Sequence, residues 1–475
     1  MAGTTARTGP ASRPDLLPQT AGGRRPTGQL TLTQLHDHVA SGRIDTVLLA
    51  LPDLQGRLKG KRYHARHFID RVAEGGAEVC AYVLATDITM TPVEGFELAS
   101  WQTGYQDLRV IPDPSTVRVL PWMPGTALVL ADAVDPDGQP VEVSPRRMLR
   151  RQLARLASYG LHVKTGLESE FVLYQGNYAQ AAASGHHDLQ PITPENLDYA
   201  LDHDPGTDRF FRRLQAALAG AGLPVEAIKT EGAAGQVEVT FPYGDALSAC
   251  DGHLVFKHAV RLMGQRAGMA PTFMAAPATG TASGLHLHVS LWTDGNAVLA
   301  GSDGNLSPLA EQAITGLLDA LPALAPLYAP NANSYKRFAP RSFAPTRFTW
   351  GIDNRTCAVR VVGHGDGLHL EIRLPGADAN PYLALAAALA GITHGLDHER
   401  KPPPACTGNA YDATDAPPVP TTLDRAVTAF RHSPVAQRAF GADVVEHYAR
   451  LGQIEAAAHR FAVTDTDRHR WFTRA

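Results

Sequence analysis

Four short stretches of this chain alternate apolar residues with ionisable ones, and no other feature limits its architecture as much. In "LESEFVLY" an extended backbone sends Glu168 and Glu170 to one face and Leu167, Ser169 and Phe171 to the other. In "GQVEVTF" Glu238 opposes Val237 and Val239, and Glu231 stands seven residues upstream at the start of the glycine-containing turn "EGAAGQ". In "GLHLHVSLW" His286, His288 and Ser290 share a face, and in "LHLEIRLP" so do His369, Glu371 and Arg373. Each strand offers apolar side chains to a core and ionisable ones to a common space.

That common space needs an explanation. Two carboxylates about 7 Å apart repel by roughly 2 to 3 kcal/mol at an effective dielectric of about 20. A solvated edge strand is a sufficient account of one such triplet, but four strands cannot all be edges. Together Glu168, Glu170, Glu231, Glu238, His286 and Glu371 make an oxygen-rich set with one imidazole, which suits Mg²⁺ or Mn²⁺ better than zinc. Five carboxylates exceed the need of a single divalent ion and point to two or more. Arginines add a second element: Lys336 and Arg337 in "NSYKRF", Arg355 and Arg360 in "NRTCAVR", and Arg373. The planar guanidinium binds carboxylate and phosphoryl oxygens two at a time, so cations beside arginines imply a phosphate and an acidic substrate. The chain has neither GxxxxGK[ST] nor GxGxxG, so a nucleotide here would be held by metals and arginines.

The rest of the sequence narrows the setting. A length of 475 residues allows two or three domains, and a net charge of −4 without a long basic run argues against a nucleic-acid partner. The four cysteines lie far apart with no CxxC pairing, which fits a reducing cytoplasm. The longest apolar run, "YLALAAALAGI", is too short to span a bilayer, so no membrane association is expected. Residues 1–28 read as a flexible tail, 29–125 as a small domain of short strands and helices, and 126–475 as a larger mixed domain. Helices are predicted from Ser144 as N-cap with Pro145 at the first position, and at 209–221, 253–268, 307–320 and 381–395; a Pro-rich loop is predicted at about 401–420, with helices after it.

The motifs "ESE", "EGAAGQVEV", "SGLHLHVSL", "NSYKRF", "NRTCAVRV" and "EIRLPGADANPYLALAAALAG", in this order, make the chain from about residue 30 resemble class I glutamine synthetase. The resemblance implies an α+β fold: an N-terminal β-grasp domain, then a catalytic domain built on an open barrel of antiparallel strands flanked by helices. It also implies a homo-oligomer, a dodecamer of two hexameric rings. Carried over residue by residue, it makes Glu170, Glu231 and Glu238 ligands of one metal and Glu168, His286 and Glu371 ligands of a second. His288 and Ser290 would contact ATP, and Tyr243 or Phe241 would stack on adenine. Arg337 and Arg373, beside Glu170 and Phe343, would line the substrate site and hold the α-carboxylate of glutamate. Arg355 and Arg360 would face the transferring phosphoryl group, which makes Arg337, Arg355 and Glu231 the catalytic set.

Three departures from the family pattern bear on the substrate. Ammonia-using members carry a glutamate six residues beyond the "NSYKR" arginine; here that position is Phe343. A phenyl ring accepts no proton, yet it can wall in the stem or ammonium of a larger amine, a contact worth on the order of 0.5 to 2 kcal/mol. The ammonium-site segment is also missing near "LATDITM", where Asp87 is the nearest counterpart, and Thr281 and Ala282 replace an asparagine and a glycine near the glutamate amino group. The expected function is therefore ATP-dependent ligation of glutamate to an organic amine, a polyamine, ethanolamine or another monoamine, through γ-glutamyl phosphate. The alternatives are an ammonia-dependent glutamine synthetase and a catalytically silent regulatory or scaffold homologue.

Overall fold

The computed structural model describes residues 28–302 and 304–475, so the tail expected over 1–28 lies, but for Gly28, outside the described residues. The first sheet is built from β1 (Thr46–Pro52), β2 (Leu58–His64), β3 (Ala77–Cys80), β4 (Asp107–Pro112), β5 (Arg118–Val119) and β6 (Thr126–Val134). Its order is β2-β1-β6-β4-β3, with β5 added on β6; the β1–β6 pair is parallel and the others are antiparallel.

The strand Thr126–Val134 therefore hydrogen-bonds inside this first sheet, one strand past the boundary expected at 125/126. Pro121, Pro124 and Gly125, which carry turn signals, close the β5–β6 hairpin: Leu120 N donates to Thr126 O at 3.0 Å and Gly125 takes a φ of 73°. Both faces of β6 are covered. Ala127, Val129 and Ala131 join one apolar core, and Leu128 and Leu130 join a second that also holds Phe171, Val237 and Val239 of the following sheet. A strand buried on both sides reads as an apolar run with no polar face, as "TALVLADAV" does.

The second sheet comprises β7 (His162–Gln175), β8 (Ala227–Thr230), β9 (Gln236–Thr240), β10 (Gly244–Asp245), β11 (Met269–Thr272), β12 (Leu285–Thr293), β13 (Asn296–Ala297), β14 (Trp350–Ile352), β15 (Val359–Val362) and β16 (His369–Ile372). Its order is β14-β15-β16-β12-β7-β9-β8, with β10 and β11 also pairing with β7 and β13 with β12. The expected all-antiparallel arrangement holds except at the β14 edge, where β14 and β15 run parallel. The long strand β7 is the hub, because β12 and β11 lie along one side of it and β9 and β10 along the other.

One face of this sheet is mainly apolar: Leu285, Leu287, Val289, Leu291 and Leu370 are wholly buried. Helices cover it, chiefly Pro145–Ala157, Ala246–Arg266, Pro308–Ala320 and Pro381–His398. The last contains "YLALAAALAGI" and is buried nearly all round, so that run is a core helix. It crosses Pro308–Ala320 at glycines: a Cβ on Gly316 would lie 2.1 Å from the carbonyl oxygen of Gly391. The helix expected after Ser144 forms, with Pro145 at its first turn, but the Ser144 hydroxyl makes no cap; its carbonyl accepts from Met148 N at 2.9 Å. Among the described residues no helix is long and apolar enough to cross a membrane. The Pro-rich segment runs as a strap along residues 346–356, with Phe348 N donating to Pro417 O at 2.9 Å and Val419 N to Thr346 O at 3.0 Å.

Candidate active site

The register of the second sheet brings the ionisable side chains together. Glu168 stands opposite His286 across β7 and β12, and Glu170 opposite Glu238 across β7 and β9. Glu371 stands opposite His288 on one side and Arg360 on the other. Directly opposed residues in antiparallel strands project to the same face with their Cβ atoms about 5 Å apart, so the row is continuous from Glu238 to Arg360.

Distances sort this row into two overlapping groups. Glu168, His286 and Glu371 form one, and Glu170, Glu238 and His286 the other; in each, one ligand atom per residue lies within 4.8 Å of the others. His286 Nδ1 is 3.1 Å from Glu168 Oε2 and 3.5 Å from Glu371 Oε1, while its Nε2 is 3.9 Å from Glu170 Oε1. The first group is the set that the family resemblance pairs with a second metal. The second contains Glu170 and Glu238 of the other set, with His286 as third member; Glu231 stands apart, its carboxylate paired with Lys229 and accepting from Gly232 N at 3.2 Å.

Charge is distributed unevenly across the row. Burial pushes Glu238 up to about 9, and the charges of Glu168, Glu231 and Glu170 add to the effect. Burial also opposes ionisation of Glu371, but Arg373, His286 and His288 outweigh it and hold the carboxyl at about 2. Glu168 lies well below the usual carboxylate range, because hydrogen bonds and charge from His286 and His288 exceed its burial cost. The Glu371 end is thus neutralised by protein cations, and the Glu170/Glu238 end is not. A divalent cation fits that deficit: two unit charges 4 Å apart gain about 4 kcal/mol at an effective dielectric of about 20, and a doubly charged ion twice that.

Sequence reading missed two contributors to this end. Gln236 Nε2 donates to Glu170 Oε2 at 2.8 Å, and Gly284 N donates to the same oxygen at 2.9 Å. Gln236 shares the face of Glu238 two residues away, so strand periodicity could have flagged it. Gly284 carried no such signal; its need appears only in three dimensions, where an added Cβ would lie 2.8 Å from both Arg337 Nη2 and His286 Nε2.

The arginines divide into buried and exposed. Arg337 donates from Nη1 to Leu374 O at 3.0 Å and to Arg373 O at 3.2 Å, and burial lowers its pKa to about 10. Arg373 is paired with Glu371 through Nη1. The Nε atoms of both are buried with no protein partner, donors left for an anion. Arg360 donates to Glu371 Oε2 at 2.8 Å and to Asp353 Oδ1 at 3.0 Å. Arg355 is exposed in a groove of about 460 Å³ lined also by Asp353, Cys406 and Gly408, and Lys336 is exposed as well.

Of the two aromatic candidates Tyr243 is 61% exposed, its ring parallel to Trp292 at 6.5 Å, whereas Phe241 packs into the core against Phe256. Lys164 Nζ sits 3.4 Å from the centroid of Trp292, whose Nε1 donates to Ser290 Oγ at 2.8 Å. His288 Nε2 lies 3.0 Å from Glu168 Oε1; burial disfavours its charge, but Glu168 prevails and raises its pKa. Phe343 is 64% exposed at a φ of 57°, in a loop 338–345 without an acidic residue. Asp87 does not reach outward for a ligand with Oδ1, which closes its own turn by accepting from Thr89 N at 2.9 Å and Thr91 N at 2.8 Å. Ala282 O accepts from Gln236 Nε2 at 2.9 Å, and Thr281 N donates to Ala278 O at 3.1 Å.

Comparison with known proteins adds four findings. The family described as glutamine synthetase, catalytic domain, matches residues 142–471. A gamma-glutamylethanolamide synthetase of Streptomyces coelicolor is 45% identical over 449 residues, 94% of this chain and 97% of its own, and a glutamate–isopropylamine ligase of a Pseudomonas species is 32% identical, over 88% and 93% of the two chains. Among solved structures, GmaS in complex with ADP superimposes with a TM-score of 0.79 at 29% identity, covering 93% of this chain and 100% of that one.

Proposed function

The chain belongs to the glutamine synthetase family, and on that footing we propose that it joins the side-chain carboxylate of glutamate to a small organic amine at the expense of ATP, with ethanolamine as the first amine to test. The observation that carries this reading is Phe343, an exposed aromatic where the ammonia-using members of the family carry a glutamate. The similarity to an ethanolamide synthetase over nearly the whole of both chains supports it.

In this reading the α-carboxylate of glutamate takes the donors that Arg337 and Arg373 leave unpartnered; each charge-assisted hydrogen bond contributes about 1.5 to 3 kcal/mol. Phosphoryl transfer from ATP to the γ-carboxylate gives γ-glutamyl phosphate and ADP. The amine nitrogen then attacks the acyl carbon, phosphate leaves, and the amine loses a proton. Glu231 receives that proton, with Lys229 beside it to stabilise the carboxylate between turnovers. Arg355 and Arg360 meet the charge that develops on the transferring group. The two carboxylate–imidazole groups fit Mg²⁺ or Mn²⁺, and such ions would neutralise the phosphate oxygens. Tyr243, exposed beside Trp292, is the adenine platform, and His288 and Ser290 complete the nucleotide side. We also assign a cytoplasmic, homo-oligomeric enzyme with a β-grasp N-terminal domain and a catalytic domain of the family type.

Phosphate release by the purified protein with ATP, Mg²⁺ and glutamate is the test. Ethanolamine, isopropylamine, putrescine and ammonium are offered in turn. Turnover with at least one organic amine at a kcat/KM above that for ammonium is expected, and turnover with ammonium alone defeats the reading.

A further inference from the structure

The strap from residue 403 to 419 brings a group to the rim of the site that the sequence did not single out. It is anchored along its length: Trp350 Nε1 donates to Pro403 O at 2.7 Å, Asn354 Nδ2 to Gly408 O at 2.8 Å, and Ala410 N to Thr356 Oγ1 at 2.9 Å. At the last of these anchors a single turn, Ala410–Asp412, is fixed by Asn409, whose Oδ1 accepts from Tyr411 N at 3.2 Å. That turn sets the half-buried Tyr411 against the loop 338–345, where its hydroxyl donates to Ala344 O at 3.1 Å. Burial raises the pKa of the Tyr411 phenol, and hydrogen bonding with the Phe343 backbone and the Ser342 side chain opposes the rise, so the hydroxyl sits against the loop on both sides of Phe343.

The loop it touches is in an unfavourable backbone state. Arg341 and Phe343 both occupy the left-handed region, at φ 66° and 57°. Side chains with a Cβ stay there only when their surroundings hold them. From within, Ser342 Oγ donates to Ala339 O at 2.7 Å or to Arg337 O at 3.0 Å. From outside, Tyr411 holds Ala344, which follows Phe343 and is itself buried. Phe343 itself is too exposed to anchor the loop by packing.

We propose that Tyr411 is a positioning residue for the amine: by fixing Ala344 it holds Phe343 over the side of the site where the nucleophile enters, and so sets how well an amine is accepted. This rests on the reading of Phe343 as the amine wall. It adds that the wall is a pair of aromatic residues from two separate segments, whose geometry is set by the strap.

Tyr411→Phe removes the donor and keeps the ring. Kinetics for the amine that the wild type accepts should show its KM raised by about 3- to 10-fold, the effect of one lost hydrogen bond, with the KM values for glutamate and ATP unchanged within about twofold. Amide hydrogen exchange over residues 338–345 should accelerate by a similar factor. An unchanged amine KM overturns the proposal, as does a rise shared by all three substrates, which would mark a purely structural role. Exchange over 338–345 that matches the wild type also overturns it, since the loop would then not depend on Tyr411. The ligase reading is judged separately on the wild type: use of ammonium alone sinks it, while exchange in Tyr411→Phe still decides whether Tyr411 holds the loop.

Discussion

Glu170 and Glu238 stand directly opposite one another across β7 and β9, both nearly buried, and Glu238 retains a proton. Its carboxyl titrates at about 9, against an ordinary 4.5, through burial and then the charges of Glu168, Glu231 and Glu170. The folded chain therefore holds a proton that the unfolded chain has released. That contribution to stability is complete below pH 4.5 and is lost as the pH rises through about 9. A bound cation displaces the proton, so the stabilisation by Mn²⁺ over EDTA should grow between about pH 6 and about pH 9, by up to about 1.4 kcal/mol per pH unit. In Glu238→Gln this growth should be much reduced, while Lys257, buried and lowered to about 7, titrates alike in both and cancels. Thermal unfolding midpoints with and without Mn²⁺ are the measurement; equal pH slopes in the two proteins would remove Glu238 from the metal site.

Gly284 packs its backbone against the site with no room for a side chain. In Gly284→Ala the new methyl would lie 2.8 Å from Arg337 Nη2 and from His286 Nε2, with Glu170 Oε1 at 3.1 Å. Relief requires moving those groups by tenths of an ångström to an ångström, a misplacement able to cost about 10²-fold in rate. A fall in kcat/KM of about that size is expected, with stability lowered by about 1 to 3 kcal/mol. Steady-state kinetics alongside a denaturant melt will tell; kcat/KM within twofold of wild type would mean that the site is looser than the contacts indicate.

Phe343→Glu places a carboxylate in a loop that otherwise has no acidic residue. Both side chains meet the φ of 57° at similar cost, so the backbone should persist. A full negative charge attracts ammonium and can take its proton, so the kcat/KM ratio of ammonium to organic amine should rise by about tenfold or more. Competition between the two nucleophiles reads this directly, and an unchanged ratio would mean that another element selects the nucleophile.

Arg337→Lys keeps the charge and loses the fork. The KM for glutamate should rise by about 10- to 100-fold, equivalent to roughly 1.5 to 3 kcal/mol, with the KM for ATP little changed. Initial rates with each substrate varied in turn separate the two, and a rise confined to the KM for ATP would assign Arg337 to the nucleotide instead.

What could be read from sequence follows the alternation of residues along each strand. Glu168, Glu170, Glu238, His286 and Glu371 had to share a polar face once their segments were extended, and the structure brings these five into two overlapping groups. The helices at Pro145–Ala157 and Pro381–His398 were likewise visible, from a proline at the first turn and an apolar run of helical length.

Periodicity is a property of one segment and says nothing about which segments meet. The strand Thr126–Val134 reads as the start of a new unit, because turn residues precede it and nothing local shows that its partner is Thr46–Pro52. The separation of Glu231 toward Lys229, the demand for glycine at 284 and the contact between Tyr411 and Ala344 across 67 residues also needed the folded chain. Chain chemistry alone determined that acids and imidazoles would share one surface against an apolar core. Tertiary structure decided which of them touch, because excluded volume and pairing register are settled only between segments distant in sequence.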